Sequence, residues 1–276
     1  MIQDIFPNKL RNEYNPDAIA KEGDFVISFR GNELMYVSLD EKGLVLPTVS
    51  QTGMNREYIY IFSLNDTKFF LLEDCSGLEN NFEYKDIREI QATKLASREI
   101  MYSVYTGKHL RDWYRDNHFC GRCGSPMKHS ETERAKVCTE CGYTAYPRIL
   151  PAVIVGVTNG DTILLTKYRT GFNHNALIAG FIEIGETVEE AVAREVMEEA
   201  GIKVKNIRYY KSQPWGTAND ILLGYYCDVD GDTTIQMDAN ELKYAQWVER
   251  DDIVLQPDDF SLTNEMMNMF KQGQEI

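Results

Sequence analysis

The sequence predicts a mixed α/β (α+β) chain in three parts: a β-rich N-terminal domain (1–115), a four-cysteine ribbon (116–148) and a C-terminal α/β layered domain (149–276). Three observations carry that reading. Short apolar runs flank turn dipeptides up to about residue 95, two close cysteine pairs follow, and beyond Pro151 strand-like runs alternate with helical ones.

In the first part, DFVISFR (24–30) and ELMYVSL (33–39) flank Gly31-Asn32, and EYIYIFS (57–63) and TKFFLLE (67–73) flank Asn65-Asp66. Each pair reads as a hairpin. No catalytic constellation stands out here, so a packing or dimerisation role is expected. From Ser97 to Asp116 the pattern turns helical, with Ile100, Val104 and Leu110 as its apolar positions. In the last part PAVIVGV (151–157), TILLTKY (162–168), LLGYYCDV (222–229) and YAQWVE (244–249) read as strands, and LTNEMMNMFKQ (262–272) as a helix.

Charge narrows the partners. The 276 residues hold 29 basic and 43 acidic side chains, a net charge of −14. Broad binding along a nucleic-acid backbone needs a basic surface, so that class is disfavoured. An anionic substrate would need its repulsion screened, and divalent cations are suited to that. No apolar run is long enough to cross a bilayer, and MIQDIFPNKL lacks the regions of a signal peptide. The expectation is a cytoplasmic protein with no membrane association.

Cys120-x2-Cys123 and Cys138-x2-Cys141 each precede a glycine and are separated by fourteen residues. Two residues between thiolates form a tight knuckle that presents both sulfurs to one ion, and four thiolates suit a closed tetrahedral Zn2+ site. An iron centre of the rubredoxin kind and a redox dithiol are the rivals. Cys75 and Cys227 stand apart and read as ordinary thiols. Residues 108–148 carry eight basic against five acidic side chains. That bias is mild, so the ribbon is expected to be a structural staple.

The stretch GFIEIGETVEEAVAREVMEEAGI (180–202) is the most informative. Thr187-Val188-Glu189-Glu190 fits a capping box and Gly201 a helix end. At helical spacing Glu195 and Glu199 stack one turn apart with Glu198 beside them, while Val192, Ala193, Val196 and Ala200 form a face that can bury. Like charges so placed weaken a helix. Mg2+ or Mn2+, which prefer carboxylate oxygens, would turn that repulsion into coordination.

This stretch resembles the Nudix box, G-x5-E-x7-R-E-U-x-E-E-x-G-U with U a bulky aliphatic residue. Gly180, Glu186, Arg194, Glu195, Val196, Glu198, Glu199, Gly201 and Ile202 fill every specified position. The resemblance implies a Nudix α/β/α sandwich and metal-dependent hydrolysis of a nucleoside diphosphate linked to another group. It implies Glu195 and Glu199 as Mg2+ or Mn2+ ligands, Glu198 as a ligand or a partner through water, and the Ala179 carbonyl as a backbone ligand. Arg194 would orient the cluster by pairing with Glu186.

A four-cysteine ribbon directly before such a domain is similar to the NADH pyrophosphatase subfamily. TERAKVC (132–138), YPR (146–148), AGF (179–181), SQPW (212–215), NELKYAQW (240–247) and SLT (261–263) agree with it. The likeness implies that Glu241 completes the metal site or serves as base. It places Tyr146 and Phe181 around a nucleobase, with Glu133, Ser212, Gln213, Trp215 and Thr263 also lining the dinucleotide site. It implies a homodimer cleaving NAD(H) to nicotinamide mononucleotide and AMP, and the same reaction on NAD-capped RNA 5′ ends. One departure stands out. The subfamily motif runs S-Q-P-W-P-F-P-x-S, whereas this chain continues Gly216-Thr217-Ala218-Asn219-Asp220. A looser or differently shaped pocket is expected there, which leaves ADP-ribose, a dinucleoside polyphosphate or a nucleoside triphosphate as alternative substrates. A nucleotide-sensing module without catalysis is the third reading; retention of every box acid argues against it.

Overall fold

The computed structural model describes residues 1–170 and 174–275. The chain forms two compact units. One comprises Met1–Ile2, Ile149–Trp215 and Asn219–Ile276, and the other Gln3–Arg148 with Gly216–Ala218.

In the N-terminal unit both expected hairpins form. Arg30 pairs with Glu33 across Gly31-Asn32, and Leu64 pairs with Thr67 across Asn65-Asp66. Gly31 and Asn65 adopt positive φ, the conformation such tight turns require. Helix α1 (Arg98–Asp116) follows Ser97. Its buried seam differs from the aliphatic positions read from sequence. Val104 is buried, but Ile100 and Leu110 are only half-buried, and the seam is completed by Met101, Tyr105, Trp113 and Tyr114. Aromatic rings fill the seam, and a search for aliphatic spacing passes over them. Gly107 is required here, since a Cβ would lie 2.5 Å from Ile27 Cδ1.

The ribbon is a three-stranded antiparallel sheet of Met127–His129, Lys136–Cys138 and Thr144–Ala145. Its own buried apolar cluster is small: Cys120, Met127, Cys138 and Ala145.

The C-terminal unit is a mixed sheet between two helices. Its strands are β1 (Leu150–Asn159), β2 (Thr162–Tyr168), β3 (Ile178–Phe181), β4 (Val204–Trp215), β5 (Asp220–Val229) and β6 (Leu242–Glu249). The order is β4-β5-β1-β2-β6, with β3 paired to β1. Only β1 and β5 run parallel. Helices α2 (Val188–Ala200) and α3 (Leu262–Lys271) cover the two faces. Alternation along β1 explains both cores. Ala152 and Ile154 pack with Leu262, Met266 and Phe270 of α3, while Val153 and Val155 pack with Val192 and Val196 of α2.

The SQPW segment is not a loop. Ser212–Trp215 end the twelve-residue edge strand β4, in register with Leu223, Leu222, Ile221 and Asp220 of β5. An edge strand tolerates Pro214, whose missing N–H would break a central ladder. Nor is the following turn loose. A Cβ on Gly216 would lie 2.1 Å from the Tyr105 carbonyl oxygen, so the turn is docked where no larger residue fits. Proline at 216, as in the subfamily motif, would collide there.

Candidate active site and metal centres

Helix α2 is fixed at both ends before any ligand is considered. The Thr187 hydroxyl accepts from the Glu190 amide at 3.2 Å, and the Glu190 carboxylate accepts from the Thr187 amide at 2.8 Å. Gly201 closes the helix at φ 69°. Ala191, Val192, Val196 and Ala200 are buried, and Glu199 is buried with them at 2% exposure. Each acid's environment follows from its angle to that apolar stripe. Glu195 is largely buried, whereas the Glu198 side chain is 60% exposed.

Arg194 is interleaved among the acids. Its Nε and Nη2 donate to the two oxygens of Glu186 at 2.7 and 2.9 Å. Nη1 donates to Glu195 at 2.7 Å and Glu198 at 3.0 Å, and Nη2 also reaches the Phe181 carbonyl at 3.0 Å. The hydrogen bond from Arg194 holds the Glu186 carboxyl below its ordinary range. Burial raises that of Glu195, against the opposing pull of Arg194.

Glu199 is the most perturbed acid of the cluster. Burial pushes its carboxyl up to about 8, helped by the charges of Glu195, Glu241 and Asp238 and opposed by the Ala179 amide. Its Oε2 is buried with no hydrogen-bond partner. A buried carboxylate oxygen left unpaired is unfavourable, and a hard divalent cation is the partner its chemistry fits. Glu241 lies in the turn before β6. That turn is tied to α2 by the Asp238 amide donating to the Glu199 carbonyl at 3.0 Å, and to β2 by the Arg169 amide donating to the Glu241 carbonyl at 3.0 Å.

Gly180 sits on β3 facing Glu195. A Cβ at 180 would lie 1.9 Å from Glu195 Cδ and 2.0 Å from its Oε1, so the carboxylate occupies the space that any side chain would take. Gly180→Ala is therefore expected to displace Glu195 and lower kcat/KM by about 100-fold, the scale of a misplacement near 1 Å. A titration of activity with Mn2+ should also show a higher half-saturating concentration. Unchanged metal dependence in a folded variant would refute this placement.

Sequence reading missed Tyr168. It ends β2 in register with Leu242, and its phenol is raised by burial and by the charges of Glu199, Glu241 and Glu195. A tyrosine at a strand end carries no motif; only the register of β2 against β6 brings it to the acids.

The remaining expected residues divide between the units. Phe181 is exposed at the end of β3, and Trp215 is partly buried against the α3-side core. Ser212 and Thr263 are half-buried, on β4 and in the first turn of α3. Gln213, expected to line a pocket, is fully buried. Its Nε2 donates to the Phe260 carbonyl and its Oε1 accepts from the Leu262 amide, both at 2.7 Å, so it braces the start of α3. In the N-terminal unit, exposed Tyr146 donates its hydroxyl to Glu133 at 2.9 Å.

The cysteines converge. All four sulfurs lie within 4.8 Å of one another, and among the described residues they are the only metal-binding set so close. The acid ridge does not form such a set, with Arg194 between its carboxylates. Sγ separations of 3.7 Å (Cys120–Cys141), 3.4 Å (Cys123–Cys138) and 3.5 Å (Cys123–Cys141) far exceed a disulfide. They approach the edge of about 3.8 Å of a tetrahedron with Zn–S bonds of about 2.3 Å. The Arg122 and Cys141 amides point at the Cys120 and Cys138 sulfurs, each at 3.4 Å.

Residues 148–268 match the NUDIX domain family, and residues 115–146 match the NADH pyrophosphatase zinc ribbon domain. A curated relative from Citrobacter koseri named NAD-capped RNA hydrolase NudC is 45% identical over 154 residues, covering 55% of this chain and 59% of that protein. One of the same name from Klebsiella pneumoniae is 46% identical over 155 residues, with the same coverage. The chain thus spans 59% of the length of these relatives. A crystal structure of a Nudix hydrolase from Nitrosomonas europaea is 21% identical, covers 56% of this chain and 93% of that one, and gives a TM-score of 0.49.

Proposed function

We propose that this chain, whose residues 148–268 match the NUDIX domain family and whose residues 115–146 match the NADH pyrophosphatase zinc ribbon domain, hydrolyses the diphosphate bond of NAD(H) to nicotinamide mononucleotide and AMP. The single observation that carries the reading is Glu199, buried on the box helix with an unpaired oxygen beside Glu195 and Arg194. Glu195, Glu198, Glu199, Glu241 and the Ala179 carbonyl would hold Mg2+ or Mn2+. Such an ion, when bound, neutralises phosphoryl oxygens and makes hydroxide available near neutral pH.

The chain's own residues do the rest. Arg194 orients Glu195 and Glu198 through Nη1 while anchored on Glu186. Glu241 either completes the ligand set or removes the proton from the attacking water. Phe181 and Tyr146 would stack against a base and exclude water. Glu133, Ser212, Trp215 and Thr263 would line the dinucleotide, and Gln213 would hold the β4 end against α3.

The same reading includes the division at 115/116 and 148/149, a homodimer, and a cytoplasmic location. It extends to NAD-capped RNA 5′ ends, since only the dinucleotide end need enter the site and the relatives carry that activity in their name. Another nucleoside diphosphate derivative is the second reading. Gly216-Thr217-Ala218 supplies no ring where the subfamily motif has phenylalanine. A panel of NADH, NAD+, ADP-ribose, diadenosine polyphosphates and nucleoside triphosphates, assayed with Mg2+ and Mn2+ and with products identified, separates the two. NAD(H) is expected to give the highest kcat/KM; a clear preference for any other member overturns the first reading in favour of the second.

A further inference from the structure

A cleft of about 640 Å3, the size of a small-molecule site, opens within the N-terminal unit between the Ile59–Leu64 strand and the ribbon. None of its walls belongs to the active site proposed above. The segment 14–18 closes one side and is pinned to the ribbon, where the Tyr14 hydroxyl donates to the Ser130 carbonyl at 2.6 Å.

The walls combine aromatic rings with uncompensated charge. Tyr14, Tyr58, Tyr60 and Tyr114 supply four phenol side chains. Asp17, Glu57 and Glu131 add three exposed carboxylates, and among the described residues none of the three has a hydrogen bond or ion pair. No lysine or arginine lines the cleft. Burial, with the charge of Lys136, holds the His129 imidazole below its ordinary range, so it adds no positive charge at neutral pH. Arg134 and Lys136 approach the Tyr14 and Tyr114 rings at 5.5 and 5.8 Å but stand outside the lining, and Arg134 already donates to the Ile61 carbonyl at 2.7 Å. Like charges around one concavity focus their field into it and concentrate cations there.

We propose that this cleft binds a small organic polycation of the polyamine class, whose ammonium groups pair with Asp17, Glu57 and Glu131 while its methylene chain lies along the tyrosine rings. An ammonium group is attracted to ring faces as well as to carboxylates, and its apolar stem packs on the same rings. Two other occupants fit less well. A bare divalent cation needs converging oxygens, and among the described residues only the four cysteines bring metal-binding atoms within 4.8 Å of one another. A nucleotide would carry its phosphates into three negative charges. The site stands independently of the diphosphatase reading.

The test titrates the full zinc-loaded chain calorimetrically with spermidine in low salt. One saturable site per chain is expected. Glu57→Gln with Glu131→Gln should weaken it by about tenfold or more, and Tyr60→Ala by about fivefold, the scales of two partly screened charges and one cation–π contact. Glu41→Gln with Glu89→Gln removes the same charge from exposed acids outside the cleft and should change affinity by less than about twofold. Equal losses in the two double variants would mean diffuse attraction to the net charge of −14 and overturn the proposal. Absence of a saturable site overturns it too, as does tighter binding of adenosine or AMP than of spermidine in a manner sensitive to Tyr60→Ala.

Discussion

Glu199→Gln is expected to lower kcat by at least about three orders of magnitude while leaving the fold intact. The substitution keeps the shape of a buried side chain, but removes the charge a divalent cation would need. Its effect on the metal-free protein has the opposite sign. The Glu199 carboxyl is raised by burial from 4.5 to about 8 in the folded state. The folded protein therefore holds a proton that the unfolded chain has released between those values. The associated stability is present in full below about pH 4.5 and is lost as pH rises through about 8. At about 1.4 kcal/mol per pH unit the loss is at most about 5 kcal/mol. Thermal melts without divalent metal should fall in Tm from pH 5 to pH 8.5 for the wild type and stay nearly flat for Glu199→Gln. A sensor would have no turnover to lose, and a variant retaining full turnover would remove Glu199 from the metal site.

That expectation grew from a feature fully legible in the sequence. The capping box at Thr187–Glu190 and the stop at Gly201 depend on local spacing, the Arg194–Glu186 pairing was implied by the resemblance, and each is present. Hairpins at Gly31-Asn32 and Asn65-Asp66 were legible for the same reason, since their turn residues specify the register.

What the sequence hid depends on pairing between distant segments. Strand β4 reads VKNIRYYKSQPW, without alternation, because an edge strand need not bury one face uniformly. The burial of Gln213 depends on Phe260 and Leu262, 47 and 49 residues away. A glycine at 216 looked like lost stiffness; in the fold it marks close backbone approach.

Removing zinc is expected to unfold the ribbon while the box helix persists. Of the four residues in the ribbon's apolar cluster, Cys120 and Cys138 are themselves ligand candidates, leaving Met127 and Ala145 as the purely apolar contribution. Two such side chains bury too little surface to hold three short strands against chain entropy. The neighbouring thiols also shift one another's titration. Hydrogen bonds from Ser125 hold Cys123 down to about 6, whereas burial and the neighbouring thiols, against the Tyr143 amide, push Cys141 up to about 12. A cation resolves that conflict by favouring the thiolate at every position. Structural zinc binding is worth about 10–16 kcal/mol in small finger domains, far more than this cluster supplies. Elemental analysis should find zinc at one atom per chain in that site. After chelation under reducing conditions, hydrogen exchange should accelerate by several orders of magnitude across Met127–His129 and Lys136–Cys138, reverse on adding Zn2+, and leave the amides of Val192–Ala200 protected. Ribbon amides that stay protected without the metal would mean that packing alone holds the module, and that the four sulfurs have some purpose other than folding.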